Sequence, residues 1–360
     1  MGGIIMKILN KRIAIILLTL TIFLLISITQ VKTIASLDLN TSRVSNIAVI
    51  FFVTDDPFTM KVIESLKNIE NENQNRVKFT FLNPKNNIAI QDEILDAALQ
   101  TKYDLFILYL PDRRENVVEG AINKIKQKNK PLILMNIIPE VASRASKLYE
   151  KVVFVTPDSK KAGIAQGKII ADFWNKNKSS LDANGDNILQ YVLLQGPSDD
   201  PQPIDRSKYA ISTLNDSGIK TQELARVNAN WSKDLAKSSI DNLFLKYNGR
   251  IEAIISNNDA MAIGAIEALQ KYGYNKDNKS KNIAVVGIDG LQEAKDLIDK
   301  GIMTGTVIQD PRIEAEVLYK VGMNLIKNLS PTENTDYKVV DGEIIIPFPY
   351  DKYIRNISES

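Results

Sequence analysis

The chain has 360 residues, 44% hydrophobic and 24% charged, which is an ordinary globular composition with length for two lobes. It contains neither cysteine nor histidine. That excludes disulfides, thiolate nucleophiles, lipid-modified cysteine, Ser-His-Asp triads and histidine metal ligands, and leaves carboxylates, lysines and hard cations held by oxygen.

The formal charge of +2 includes Lys7, Lys11, Arg12 and Lys32 near the start, so residues 36–360 carry −2 and show none of the basic stripes that nucleic acid requires. Behind the first three of these cations, Ile13–Ile28 is a run of 16 residues broken only by Thr19, Thr21 and Ser27. A basic flank and an apolar run form an export signal. Its length stands between a cleaved signal peptide and a membrane anchor, and Lys32 and Ile34 make Thr33-Ile34-Ala35 a poor cleavage site. Residues 1–35 are expected to be one or the other.

Ile47–Val53 is then a continuous apolar run of the kind a buried parallel strand shows, ending on Thr54-Asp55-Asp56-Pro57-Phe58. Asp56 suits an N-cap and Pro57 the first helical position, and Val62, Ile63, Leu66 and Ile69 follow at helical spacing. The unit repeats as strand Lys78–Leu82 and helix Ala89–Gln100, strand Leu105–Leu110 and helix Val117–Lys126, and strand Leu132–Met135 ending on Asn136. Such alternation means βαβ crossovers and a parallel sheet with helices on both faces. Val152–Thr156 and Pro157 mark a crossing into a second lobe with helix Lys160–Asn175, strand Leu189–Gln195, helix Ile204–Asp216, strand Gln222–Val227 and helix Ser232–Tyr247.

From Ile251 to Pro311 three strands end on polar residues: Asn257-Asn258-Asp259, Asp289-Gly290, and Gln309-Asp310. Ligands of open parallel sheets bind at the carboxyl ends of strands, so Asn258, Asp289 and Gln309 are candidate site residues. Each also reads as a cap or turn residue. A long helix after Pro311 and a strand at Glu343–Ile346 complete the chain.

A sugar ring wants carboxylates, amides and arginine around its rim and aromatic rings on its faces. Asp56, Phe58, Asn136, Arg206, Trp231, Asn258 and Asp289 supply that set at strand ends. For Phe58 and Trp231 plain core packing is the competing reading. A second cluster, Asp182-Ala183-Asn184-Gly185-Asp186-Asn187-Ile188-Leu189-Gln190, places oxygen-bearing side chains at positions 1, 3, 5 and 9 of an EF-hand-like calcium loop, with the Ile188 carbonyl at position 7. Asn187 stands where that loop has glycine, and Asn tolerates the left-handed conformation. Position 12 is Val192, so the usual last carboxylate is missing. The loop alone leaves calcium ligand and polar turn both open.

Ile251–Ala265, Val286-Gly287-Ile288-Asp289 and Gly305-Thr306-Val307, with Asp55–Phe58, the Asp182–Gln190 loop and Asn230-Trp231, resemble the periplasmic galactose/glucose-binding proteins over essentially the whole chain after the leader. The resemblance implies an α/β fold of two Rossmann-like lobes with parallel sheets joined by a three-crossover hinge, the type I periplasmic binding protein fold. It places the N-terminal lobe at residues 44–156 plus 311–345 and the C-terminal lobe at 158–308 plus 347–360. It implies that Asp56, Asn136, Arg206, Asn258 and Asp289 bind ring hydroxyls while Phe58 and Trp231 sandwich a pyranose. It also implies that Glu252 completes the ligand set of Asp182, Asn184, Asp186, Ile188 and Gln190 around one structural calcium.

Three positions depart from the family: Asp200 and Gln202 stand where it has His and Asp, and Gln309 where it has Asn. All three remain candidate ligand residues. Trading a charged acceptor for the Gln202 amide costs about 1–3 kcal/mol and leaves the identity of the monosaccharide open.

The expected function is therefore an exported, monomeric monosaccharide-binding protein of the cell envelope that closes on a galactose- or glucose-like sugar and is read by an ABC sugar permease. A membrane-tethered co-receptor for a sensory or chemotaxis partner is the nearest alternative, since the apolar leader carries no cysteine for lipid attachment. A sugar-responsive regulator would need an N-terminal helix-turn-helix, and a glycosidase would need two carboxylates flanking a scissile bond. Neither a catalytic role nor nucleic-acid binding is expected.

Overall fold

Alternate residues of a strand point to opposite faces, and the first strand, β1 (Ser45–Phe51), is buried on both: Ile47, Val49 and Phe51 face one half of the core and Ala48 and Ile50 the other. The computed structural model describes residues 43–355 apart from 53–55, 86, 248 and 277–280, together with Gly3, Met6 and Thr21. The leader expected over residues 1–35 otherwise lies outside them. Among the described residues no helix is long and apolar enough to cross a membrane.

Ser45–Ser360 form one unit, within which there are two sheets. In the first, β2 (Val77–Leu82), β1, β3 (Leu105–Tyr109), β4 (Leu132–Met135), β5 (Val152–Pro157) and β12 (Glu343–Ile346) run parallel in that spatial order, and β11 (Lys338–Val340) closes the far edge antiparallel. In the second, the parallel order is β7 (Lys220–Asn228), β6 (Ile188–Gln195), β8 (Ala253–Ser256), β9 (Ala284–Asp289) and β10 (Gly305–Ile308), with β13 (Lys352–Ile354) antiparallel at the edge.

The helices associated with the first sheet are α1 (Pro57–Glu72), α2 (Ile88–Ala98), α3 (Glu115–Gln127), α4 (Pro139–Ala145) and α10 (Pro311–Ile326). Those of the second are α5 (Ser159–Leu181), α6 (Pro201–Asp216), α7 (Lys233–Tyr247), α8 (Asp259–Lys271) and α9 (Gln292–Asp299). The chain crosses between the sheets three times, after β5, after β10 and after β12. This is a two-lobed α/β type I fold.

Both sheets reverse strand order after their first two strands, between β1 and β3 and between β6 and β8. Such switch points open a crevice beyond the carboxyl ends of the strands. The short α4, β11 and β13 have no counterpart in the sequence reading. The helix expected over Lys160–Asn175 continues to Leu181 through a non-helical Asn177, and the helix expected from Ile204 starts at Pro201.

Candidate ligand-binding cleft

Asp56 caps α1: its Oδ2 accepts from the Thr59 amide at 2.9 Å and the Thr59 hydroxyl at 3.0 Å, with Pro57 at the first helical position. The cap points that carboxylate at the gap between the sheets, where its Oδ1 accepts from Asn258 Nδ2 at 3.3 Å. Asn258 is itself the cap of α8, its Oδ1 accepting from the Met261 amide at 2.9 Å. The cap and site readings of these two residues are therefore both satisfied by one conformation. Asn136 (φ 55°), Trp231 (φ 66°) and Asp289 (φ 130°) hold backbone conformations that side chains rarely adopt, and such strain gathers at functional sites.

Arg206 projects from α6 and is 3% exposed. Its Nη1 donates to the Asn257 carbonyl at 2.7 Å, and its Nη2 to Gln202 Oε1 at 2.7 Å and Gln309 Oε1 at 2.9 Å. Its guanidinium also lies 5.6 Å from the Trp231 ring centre. The α5–α6 packing that fixes this helix is unusually close: a Cβ on Gly163 would stand 2.5 Å from the Arg206 carbonyl oxygen.

Asp56, Phe58, Asn136, Gln202, Arg206, Trp231, Asn258, Asp289 and Gln309 line one cleft between the sheets. Four buried polar atoms of these residues lack partners: Arg206 Nε, Gln309 Nε2, Asn136 Oδ1 and Asp289 Oδ2. Burial, with the charges of Asp259 and Asp56, pushes the Asp289 carboxyl well above its ordinary range.

A family model described as a periplasmic binding protein domain matches residues 47–330. The chain belongs to this family. It is 32% identical over 289 residues, 80% of each chain, to the D-galactose/methyl-galactoside binding periplasmic protein of Haemophilus influenzae. It is 25% identical to the xylitol-binding protein of Mycolicibacterium smegmatis, over 70% of this chain and 65% of the relative. Among solved structures it resembles an ABC transporter periplasmic solute binding protein from Actinobacillus succinogenes with bound D-allose (TM-score 0.66, 18% identity, 79% of this chain and 93% of that one). It also resembles a Caulobacter myo-inositol binding protein (TM-score 0.64, 21% identity, 83% and 91%). The solved structures share its two-lobed fold, and these named relatives and neighbours are all solute-binding proteins.

In this periplasmic binding protein Asp200 alone among the ten candidate ligand residues does not line the cleft. It caps α6, accepting from the Gln202 amide at 2.9 Å, and stands behind the cleft against Tyr109 and Arg113. The cleft also contains Phe51, Thr59, Tyr109, Pro157 and Glu314. Tyr109 donates from its hydroxyl to Asp200 Oδ2 at 2.9 Å, and burial next to that carboxylate raises the hydroxyl far above its ordinary range, so it remains a donor. Tyr109 closes an apolar strand and Glu314 sits among core residues of a helix, so neither position carries a sequence signal of its own beyond being polar in an apolar setting.

The Asp182–Gln190 loop lies away from the cleft, between α5 and β6. Asn187 is left-handed (φ 63°), as its position demands. Asp186 Oδ1 accepts from the Ile188 amide at 2.8 Å and Asn184 Oδ1 from the Asp186 amide at 3.1 Å, while Gln190 Nε2 donates to Asp186 Oδ2 at 2.7 Å. Glu252, 3% exposed, reaches the loop and accepts from the amides of Ala183 at 3.0 Å and Gln190 at 2.9 Å. Burial pushes its carboxyl up to about 7, and the nearby charges of Asp182 and Asp186 add to the rise. Asp182 Oδ1 and Gln190 Oε1 are buried acceptors without partners. Among the described residues no three carboxylates gather into a metal cluster by themselves, so the donor set here is a mixed one of carboxylate, amide and carbonyl oxygen.

Proposed function

We propose that the protein binds a monosaccharide, a galactose- or glucose-like hexose in the first instance, outside the cytoplasmic membrane and hands it to an ABC sugar permease. The observation that carries this reading is the set of four partnerless buried atoms, two donors and two acceptors, in a cleft that also holds Phe58 and Trp231. A buried polar atom without a partner costs about 1–3 kcal/mol, and a polyhydroxylated ring satisfies donors and acceptors at once while its C–H faces meet the aromatic rings. Asp56, Phe58, Asn136, Gln202, Arg206, Trp231, Asn258, Asp289 and Gln309 are the residues we assign to the ligand, with Asp200 acting behind them. The curated relative that binds D-galactose and methyl-galactoside supports the hexose.

Sugar entering the open form binds one lobe first, and hinge closure at the three crossings brings the other lobe onto it. Only contacts that exist in the closed state drive that closure. The mixed oxygen set of Asp182, Asn184, Asp186, Ile188, Gln190 and Glu252 suits one structural calcium, since a cation gives the two orphaned acceptors a partner and offsets the crowded carboxylates. We assign it a stabilising role outside the ligand chemistry. An uncleaved leader would convert the same monomer into a tethered co-receptor with the same site. Calorimetry of the full chain against a panel of hexoses and pentoses, with and without calcium, tests the proposal. Heat on binding a hexose is expected, and absence of binding to every monosaccharide sinks it.

A further inference from the structure

Glu314 lies in the first turn of α10, whose inner face is otherwise made of Ala315, Val317, Leu318 and Val321, all fully buried. A carboxylate on such a face is costly unless something meets it. Glu314 is 9% exposed and lines the cleft, yet it makes no hydrogen bond or ion pair with the described residues. The cation of the cleft makes no hydrogen bond to it and acts on it only through its charge: Arg206 commits Nη1 to the Asn257 carbonyl and Nη2 to the Gln202 and Gln309 amides. The lining thus holds Asp56, Asp289 and Glu314 against one guanidinium. Burial pushes the Glu314 carboxyl up to about 8, against the lowering influence of Arg206.

We infer that Glu314 is a ligand-contacting, specificity-determining residue whose carboxyl group hydrogen-bonds one hydroxyl of the bound sugar. The inference rests on the sugar-binding reading above. Gln202 and Gln309 then have a definite place in the site: their amide oxygens hold the guanidinium, and a carboxyl group on α10 supplies a hydrogen-bonding group left for the sugar. A buried polar group left without its partner costs about 1–3 kcal/mol, so the hydroxyl that meets Glu314 weighs heavily in selectivity.

The test is calorimetry of the full-length protein and its Glu314→Gln variant with D-galactose, D-glucose and the monodeoxy forms of whichever sugar binds more tightly. The variant is expected to bind the parent sugar at least tenfold more weakly. One monodeoxy sugar is expected to be bound equally by both proteins, because removing the hydroxyl and removing the carboxylate delete the same contact and their effects do not add. Affinities within twofold of the unmodified protein for every sugar overturn the inference. So does an equal fall for all the deoxy sugars, which reports a structural role. Failure of the unmodified protein to bind any sugar overturns the parent reading instead. Should Glu314→Gln not fold, Glu314→Asp, which keeps the carboxyl group and shortens the reach, must weaken the parent sugar while sparing that same deoxy form, and parental affinity for both overturns the inference.

Discussion

Arg113 and Asp200 meet between the two lobes with Nη2 3.1 Å from the carboxylate and both side chains fully buried. Arg113 follows β3 of the first sheet, and Asp200 caps α6 beside the second. The guanidinium lies 5.2 Å from the Phe52 ring centre and 4.9 Å from that of Tyr109, but its nitrogens make no aligned side-chain hydrogen bond. Charge and stacking hold the pair. Removing one partner of a buried ion pair leaves the other uncompensated, at about 3–5 kcal/mol; here Asp199 Oδ1, 3.6 Å from Arg113 Nη1, keeps part of the compensation, and the rest of the cost falls on the contact between the lobes. Asp200→Asn is expected to weaken sugar binding by about tenfold or more, by the tenfold per 1.4 kcal/mol rule, and to raise the radius of gyration of the sugar-free protein in small-angle scattering. Unchanged scattering together with unchanged affinity would show that the pair does not hold the lobes together.

Gly196 and Trp231 set the position of the aromatic wall. A Cβ at Gly196 would stand 2.5 Å from the indole, and the ring has little room to retreat because it is 9% exposed and packs against Arg206. Gly196→Ala therefore displaces Trp231 toward the sugar's place. Overpacking of this kind costs about 1–3 kcal/mol, and we expect at least a tenfold loss of sugar affinity. Tryptophan emission, which here comes only from Trp174 and Trp231, should shift as well. A variant with the affinity and emission of the parent would show that the ring position does not matter.

The part of the cleft that sequence reveals is the part built from local rules. Asp56 and Asn258 are visible because caps follow strands, and the same geometry that caps a helix aims a polar group beyond the sheet. Asn136, Trp231 and Asp289 are visible as residue types at strand ends, whereas their left-handed backbone is not. Tyr109 and Arg113 escape because their partners lie on the other lobe, and nothing in Leu105–Leu110 distinguishes a buried strand from a cleft wall. Glu314 escapes because helical periodicity places it with the core. The short α4, β11 and β13 are too brief for a periodic pattern to accumulate.

The calcium site proposed at Asp182–Gln190 acts on stability independently of the sugar. Two buried oxygens, Asp182 Oδ1 and Gln190 Oε1, have no donor, while both Glu252 oxygens accept backbone amides. A ligand held only by the folded state stabilises it by about 2.7 kcal/mol at 100 times its Kd. Calcium should therefore raise the Tm of the full chain and a chelator should lower it. Asp182→Asn and Glu252→Gln should reduce the increment, the first by removing a ligand charge and the second by removing the carboxylate that the loop itself lacks. An undiminished rise in both variants would place the ion elsewhere.

The same buried carboxylate that we assign to ligand selection makes the sugar-free protein sensitive to pH. Glu314 ionises near 4.5 ordinarily and at about 8 in the fold, chiefly because burial disfavours its charge. Between those values the folded protein keeps a proton that the unfolded chain has lost. Its contribution to stability is therefore intact below about pH 4.5 and declines as pH rises toward 8. Glu314→Gln removes this dependence without emptying the site of volume. We expect the variant to match the parent in Tm near pH 4.5 and to exceed it at pH 8 to 9. The expected excess is a few degrees, since the roughly 2–4 °C per kcal/mol of a 150–250-residue chain becomes smaller in a longer one. Burial also raises Asp289 and Glu343, so both proteins should lose stability with rising pH, and the gap between the two curves isolates Glu314. Curves that run parallel from pH 4.5 to 9 would mean that Glu314 ionises as freely in the fold as in the unfolded chain.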